Sequence, residues 1–70
     1  MDNRKGTVAW FDASSGQGMI HEDNGGLYYV HYSAIESSDN FKTLTRGQRV
    51  TFTLYRNLYM AQVDTVKQLN

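Results

Sequence analysis

Apolar and polar residues alternate along the first half of this chain, and an alternation of period two predicts strands. Thr7–Phe11 is rich in β-branched and aromatic residues and predicts the first strand. Asp12–Gly16 predicts a turn, because Asp and Ser bond their own backbone and Gly accepts a positive φ. Gln17–Glu22 predicts the second strand, and the Asn-Gly within Asp23–Gly26 predicts a hairpin into a third strand, Leu27–Tyr32.

The second half of the chain has a weaker pattern. We predict one helical turn beginning at Ser33 as its cap, and then a polar loop, Ser37–Arg46, that contains an isolated Phe41. The fourth strand follows the turn Arg46-Gly-Gln and ends at a reversal at Arg56-Asn57. Tyr59–Lys67 predicts the fifth strand, with Ala61, Val63 and Thr65 in phase, and residues 68–70 are expected to fray.

The predicted strands place one set of apolar side chains on a common inward face. This inward set is aliphatic apart from one Phe, and it consists of Val8, Ile20, Val30, Ile35, Val50, Phe52, Leu54 and Val63. Five short strands in 70 residues, with no helix longer than a turn, indicate a single domain over residues 1–70. The sheet must then close on itself, which also removes exposed strand edges. The sequence therefore predicts an all-β, five-stranded antiparallel barrel.

Several rings fall on the outward phase of the first and third strands or in a loop, where a small core cannot hold them. These rings are Trp10, Tyr29, His31, Tyr32 and Phe41, together with Phe11. Flat side chains on a curved sheet suit stacked bases, whereas the alternative is that they close the barrel ends or mediate self-association. Because Val8 and Trp10 share a phase, Val8 inside and Trp10 outside require a bulge or a strong twist in the first strand.

The formal net charge is zero, but the charges are unevenly distributed. Residues 6–41 carry five acidic residues and no Lys or Arg, for −5, and residues 42–70 carry five basic residues and one acidic residue, for +4. Residues 1–5 add +1. One interpretation is a segregated solvated surface, and the other is that phosphate contacts come from the two ends of the chain. Lys5, Lys42 and Arg56 are the candidates for such contacts.

Several other functions are disfavoured by the residues present. There is no Cys, so a thiol nucleophile or a Cys-ligated zinc site is excluded. His21-Glu22-Asp23 and His31 do not form a metal site by spacing, and the serines lack a matched base, so we expect neither metal, cofactor nor catalysis. Gly16 and Gly18 favour turn entry and close backbone approach over phosphate binding, and Asp12 and Glu22 favour turn and surface roles. No apolar run reaches the length of a membrane span, and we expect a cytoplasmic protein with no membrane partner.

The motifs resemble those of one family over nearly the whole chain, from Lys5 to about Val66. Lys5-Gly-Thr-Val-Ala-Trp-Phe-Asp12 looks like the opening of a bacterial cold-shock protein. Ser15-Gly-Gln-Gly-Met-Ile20 and Tyr28-Tyr-Val-His-Tyr32 resemble the two ribonucleoprotein motifs of that family, and Phe41-Lys-Thr-Leu44 continues the match. The resemblance implies an OB-type barrel that binds single-stranded RNA or DNA by stacking bases on strands one to three. It also implies an RNA-chaperone role, with little sequence preference.

This chain departs from the family pattern within the predicted binding face. Gln17 and Met19 stand where the family has two phenylalanines, and Ala9 and Ser15 stand where it has lysines. Stacking contributes about 1–3 kcal/mol per base, so we expect weaker binding, partly recovered by the Met19 thioether. Gln17 could instead hydrogen-bond a base edge. The alternative function is a diverged module that binds a protein or itself, for example as a homodimer.

Overall fold

The described residues form a barrel of five strands with one short 3₁₀ helix. The computed structural model describes residues 3–36, 42–56 and 61–69. The elements are β1 (Arg4–Asp12), β2 (Gln17–Glu22), β3 (Leu27–His31), η1 (Tyr32–Ala34), β4 (Arg49–Arg56) and β5 (Ala61–Gln68). Phe41 lies outside the described residues, as do Asn57, Tyr59 and Asn70. No helix in the three described ranges is long and apolar enough to cross a membrane.

The sheet closes in the order β1-β2-β3-β5-β4, which confirms the predicted barrel. Four of its neighbouring pairs are antiparallel, whereas β3 and β5 are parallel where Tyr29 pairs with Gln62. The predicted antiparallel pairing is therefore present at four of the five seams, and this seam is the exception. The reason is geometric, since strands in a closed ring of odd number cannot alternate direction at every step.

The core lies inside the barrel and contains most of the predicted inward set. Leu54 is only partly buried, although it packs against the core, and all other members of the set are buried. Sequence analysis missed three buried apolar residues, namely Ala34, Leu44 and Val66. Ala34 lies in η1 and Leu44 lies in the segment before β4, where period-two reasoning gives no inward phase.

Val66 was missed because β5 contains an irregularity. Thr53 pairs with Thr65, but the next residue, Leu54, pairs with Val63, so Asp64 is an extra residue in β5. This bulge reverses the phase, and the expectation that Val63 and Thr65 share a face is wrong. Thr65 instead makes a 2.7 Å hydroxyl hydrogen bond with Thr53.

The ends of the elements differ from prediction at two places. His31, rather than Ser33, caps η1, because the backbone N–H of Ser33 donates to His31 Nδ1 at 3.3 Å. β5 continues through Gln68, which pairs with Val50, and the N–H of Leu69 donates to the carbonyl of Arg49 at 3.0 Å. The strand thus extends into the segment that the sequence predicted to fray.

Candidate nucleic-acid interface

A β-bulge in β1 gives Val8 and Trp10 opposite orientations. Val8 pairs with Ile20 and Trp10 pairs with Met19, which leaves Ala9 as the extra residue. Val8 is 1% exposed and Trp10 is 47% exposed. The bulge that the sequence required to reconcile these two residues is therefore confirmed.

The bulge places Trp10 in line with two other outward side chains. Trp10 pairs with Met19 across β1 and β2, and Met19 pairs with Tyr29 across β2 and β3. Neighbouring strands lie about 4.8 Å apart, so the outer members of this aromatic row are separated by about 10 Å at their Cα atoms. The two rings therefore share one face of the barrel, with a thioether between them.

A second cross-strand row lies next to the aromatic row. Asp12 pairs with Gln17, and Gln17 pairs with His31, which gives a polar row of three side chains. The Tyr29 hydroxyl donates to Gln17 Oε1 at 3.4 Å and links the two rows. Hydrogen bonds from the Ser14 hydroxyl and N–H, at 2.6 and 3.0 Å, lower the pKa of the Asp12 carboxyl below its ordinary value. The Asp12–Gly16 turn thus has the predicted side-chain bond, and Gly16 has the predicted positive φ of 71°.

His31 and Tyr32 extend this face beyond the end of β3. Their ring centroids lie 4.5 Å apart with an angle of 44° between the planes. Half of the Tyr32 surface is exposed, and its N–H donates to the Gly16 carbonyl at 2.8 Å. The hydroxyl of Ser33 lies 2.9 Å from His31 Nδ1 and holds the imidazole in place.

A shallow pocket of about 260 Å³ adjoins Tyr32 at this end of the barrel. Its lining combines the loop between β1 and β2 with a basic side chain from the segment before β4: Ala13, Ser14, Ser15, Gly16, Tyr32 and Lys42. Lys42 is exposed. A predicted phosphate-binding lysine therefore lies beside one of the predicted stacking rings.

Two arginines are held in ion pairs and do not provide a cationic surface. Arg4 Nη1 donates to both carboxylate oxygens of Glu22, at 3.1 and 2.9 Å. Glu22 is 5% exposed, so its expected surface role is wrong, because the bidentate pair allows burial of its charge. Arg49 forms an exposed pair with Asp23, at 2.7 and 2.9 Å, which lowers the pKa of Asp23 and raises that of Arg49.

The remaining basic residues differ in their positions. Lys5 is exposed on β1, and Arg56 is the last residue of β4, with its side chain outside the described part of the chain. Arg46 was not among the predicted contacts. It precedes Gly47, whose N–H donates to the Val8 carbonyl at 2.8 Å, so this exposed arginine lies in a turn beside the bulge. Sequence could not indicate this, because the contact depends on the pairing of β4 with β1.

Phe11 does not join the outward rings, contrary to expectation. It pairs with Gly18, and its partly buried ring packs against the core. Once the bulge has turned Trp10 outward, the next residue of the strand must face inward. Phe11 is therefore a packing residue at one end of the barrel.

Other outward residues extend the same surface. Leu27, which is 55% exposed, pairs with His21 in the row on the other side of Met19 and Tyr29. Beyond Tyr29, the parallel seam brings Gln62 into line, and Gln62 pairs with the exposed Tyr55 of β4. Sequence alone could not connect Tyr55 to Tyr29, since the register across the seam is not a local property.

Within residues 3–36, 42–56 and 61–69, no group of three His, Cys, Asp or Glu side chains could hold a metal ion.

The two glycines of the Gly-x-Gly motif have packing roles. A Cβ at Gly16 would lie 2.5 Å from the Tyr32 ring, and a Cβ at Gly18 would lie 2.5 Å from the Trp10 carbonyl. The predicted close backbone approach is present at both.

Comparison with known proteins points to a single family. Residues 4–68 match the model of the family described as "'Cold-shock' DNA-binding domain". The chain is 44% identical over 64 residues to cold shock protein CspC of Bacillus subtilis, covering 91% of this chain and 96% of that protein. It is 44% identical over 63 residues to a cold shock-like protein of Thermotoga maritima, covering 90% and 94%. Cold shock protein 1 of Lactiplantibacillus plantarum is 51% identical over 49 residues, covering 70% and 73%.

These matches agree with the closed five-stranded barrel. The resemblance inferred from the motifs is therefore confirmed. On both the sequence and the fold, this chain belongs to the cold-shock domain family.

Proposed function

We propose that this protein binds single-stranded RNA or DNA, with bases stacking on the aromatic row and on the His31–Tyr32 pair. The observation that carries the proposal is the alignment of Trp10, Met19 and Tyr29 across three strands on one exposed face. Unpaired bases have free π-faces, whereas a duplex hides them in its own stack. The protein favours unpaired strands by binding them, without a chemical step, as an RNA chaperone does.

The affinity is lower than that of a member with a full set of rings. Gln17 and Met19 replace two rings at the centre of the face, and each stacked base is worth about 1–3 kcal/mol. Lys5 and Lys42 supply phosphate contacts near its two ends, and Arg56 is a further candidate for such a contact. Phe41 is a further candidate for stacking a base, by family resemblance. Stacking alone carries little sequence information, so base preference depends on the polar row.

Titration of Trp10 fluorescence with oligothymidine tests this function, since Trp10 is the only tryptophan and lies in the aromatic row. Quenching with a micromolar or tighter dissociation constant, weakened by Tyr29→Ala, supports the proposal. A Tyr28→Phe variant is the matched control, because Tyr28 packs against the core at a ring distance of 6.1 Å from Phe52.

Leu27 favours a second candidate, a protein-interaction or self-association module. Its exposed side chain lies on the same face as Trp10 and Met19 and adds apolar area there. In this case fluorescence stays flat up to millimolar oligonucleotide, and sedimentation shows a dimer that Leu27→Ser dissociates. A monomer that quenches with oligothymidine contradicts this candidate.

A further inference from the structure

Gln17 occupies a central place on the proposed binding face. It lies exposed on β2, between Asp12 and His31 in the polar row, and one outward position from Met19. A base stacked on Tyr29 or His31 therefore has its edge near the Gln17 amide. An amide does not replace a ring as a stacking surface, but it can read the edge of a base.

The Gln17 amide is oriented by its neighbour in the aromatic row. The Tyr29 hydroxyl donates to Gln17 Oε1 at 3.4 Å, so the carbonyl limb of the amide faces Tyr29. The planar amide then directs its NH₂ group away from that contact, with two N–H donors. Tyr29 acts here as a positioning residue through its hydroxyl, apart from its ring.

The two flanking members of the polar row, His31 and Asp12, differ in the hydrogen-bonding group that they offer, because a carboxylate offers only acceptors. The Ser33 N–H donates to His31 Nδ1 at 3.3 Å, and an imidazole whose Nδ1 accepts a hydrogen bond has its N–H donor at Nε2. On the other side, Asp12 Oδ1 accepts two hydrogen bonds from Ser14 and is directed into its own turn. The polar row is therefore a donor site at Gln17 and His31.

We propose that Gln17 is a specificity residue that makes this protein prefer keto bases, uracil, thymine and guanine, over the amino bases cytosine and adenine. At C4 of a pyrimidine or C6 of a purine, a keto base presents a carbonyl oxygen to the Gln17 N–H donors, whereas an amino base presents an NH₂ group that meets another donor. This inference rests on the proposed stacking function and adds base selection to it.

Deoxyuridine and deoxycytidine hexamers test the inference, because the two bases stack alike and differ only in the keto or amino group at C4 and in the hydrogen on N3. We expect the wild type to bind the uridine hexamer about threefold to tenfold more tightly at neutral pH, as one net hydrogen bond implies. Gln17→Met has similar length and no hydrogen bond, and it should bind both hexamers equally. Gln17→Glu offers only acceptors, and it should reverse the order while weakening both complexes through its charge.

Tyr29→Phe keeps the stacking ring and removes the hydroxyl that orients the amide. Tyr29→Phe should bring the dissociation constants of the two hexamers closer together. The dissociation constant for the deoxycytidine hexamer should stay nearly unchanged. If both hexamers bind but Gln17→Met and Tyr29→Phe keep the wild-type ratio, base selection by Gln17 is wrong and the stacking function stands. If neither hexamer quenches Trp10 in the wild type, the stacking function and the inference both fail.

Discussion

At the residue scale, Met19 is the weak point of the aromatic row, because a flexible thioether lies between the rings of Trp10 and Tyr29. Replacing Met19 by Phe should tighten oligothymidine binding by roughly fivefold, the value of one additional stacked base at the lower end of the range. Thr51→Phe is the control, since it adds a ring to β4 between Lys5 and Lys67, outside the row. Equal tightening by both variants would show that any added ring helps, and would contradict the role of the row.

The exposed Asp23–Arg49 pair gives a prediction about pH. Hydrogen bonding to Arg49 lowers the pKa of Asp23 below its ordinary 3.8 in the folded state. The Asp23–Arg49 pair therefore stabilises the folded state fully at pH values above 3.8. This stabilisation is lost as the pH falls through the lower pKa that Asp23 has in the folded state. Urea unfolding measured from pH 6 to pH 2 should show this loss in the wild type, and a smaller one in Asp23→Asn.

Arg49→Met tests the cause of that pH dependence. It removes the donor but keeps the Asp23 carboxyl. If Arg49 causes the lowered pKa, the free energy of unfolding of Arg49→Met should depend on pH as that of Asp23→Asn does. A wild-type profile in Arg49→Met would mean that other charges near Asp23 lower its pKa instead.

At the element scale, the pairing of β1 with β2 depends on a residue without a side chain. A Cβ at Gly18 would lie 2.5 Å from the Trp10 carbonyl and 2.7 Å from the Phe11 ring. Gly18→Ala should therefore reduce the free energy of unfolding by about 1–3 kcal/mol, as expected for overpacking. It should also weaken oligonucleotide binding, because the displaced backbone carries Trp10.

Gln17→Ala is the matched control for stability, since it changes the adjacent residue of β2 at an exposed position. Its free energy of unfolding should stay within about 0.5 kcal/mol of the wild type. Thermal or urea unfolding followed by Trp10 emission measures both variants. A Gly18→Ala protein as stable as Gln17→Ala would show that the two strands can separate slightly without cost.

The two bulges show how far sequence can predict these elements. The bulge at Ala9 could be inferred, because Val8 and Trp10 share a phase but need opposite environments. The bulge at Asp64 could not, because Val63 and Thr65 fit one face of a regular strand without conflict. A local pattern reveals an irregularity only where two side chains in the same strand make incompatible demands.

The candidate binding face could also be predicted only in part. The alternating pattern of the strands, together with the inferred bulge, puts Trp10, Met19 and Tyr29 on one face. The structure places these three residues in one cross-strand row. The burial of Glu22 was not predictable, because its partner Arg4 lies eighteen residues away and meets it only through strand pairing. Phe11 was misplaced because the sequence required a bulge but did not fix the residue at which the phase changes.

At the scale of the whole molecule, a net charge of zero leaves few cations for phosphate. Glu22 and Asp23 form ion pairs with two of the arginines, Arg4 and Arg49. The exposed cations that we expect to meet phosphates along the proposed binding face are Lys5, Lys42 and Arg46. Single-stranded nucleic acid releases about 0.7 counterions per neutralised phosphate, so three such contacts predict a slope near −2 for log K against log salt.

Removing one of these cations should flatten that slope by about 0.7, whichever base is bound. Lys42→Ala is the sharpest case, because Lys42 lines the pocket beside Tyr32, where a phosphate next to a stacked base would lie. Lys67→Ala removes the same charge from β5, where Lys67 pairs with Thr51 on another part of the barrel wall, and it should leave the slope unchanged. Fluorescence titrations of Trp10 at several salt concentrations give both slopes. If Lys42→Ala and Lys67→Ala flatten the salt slope equally, binding responds to total charge. In that case the phosphates do not follow the face defined by Trp10, Tyr29 and Tyr32.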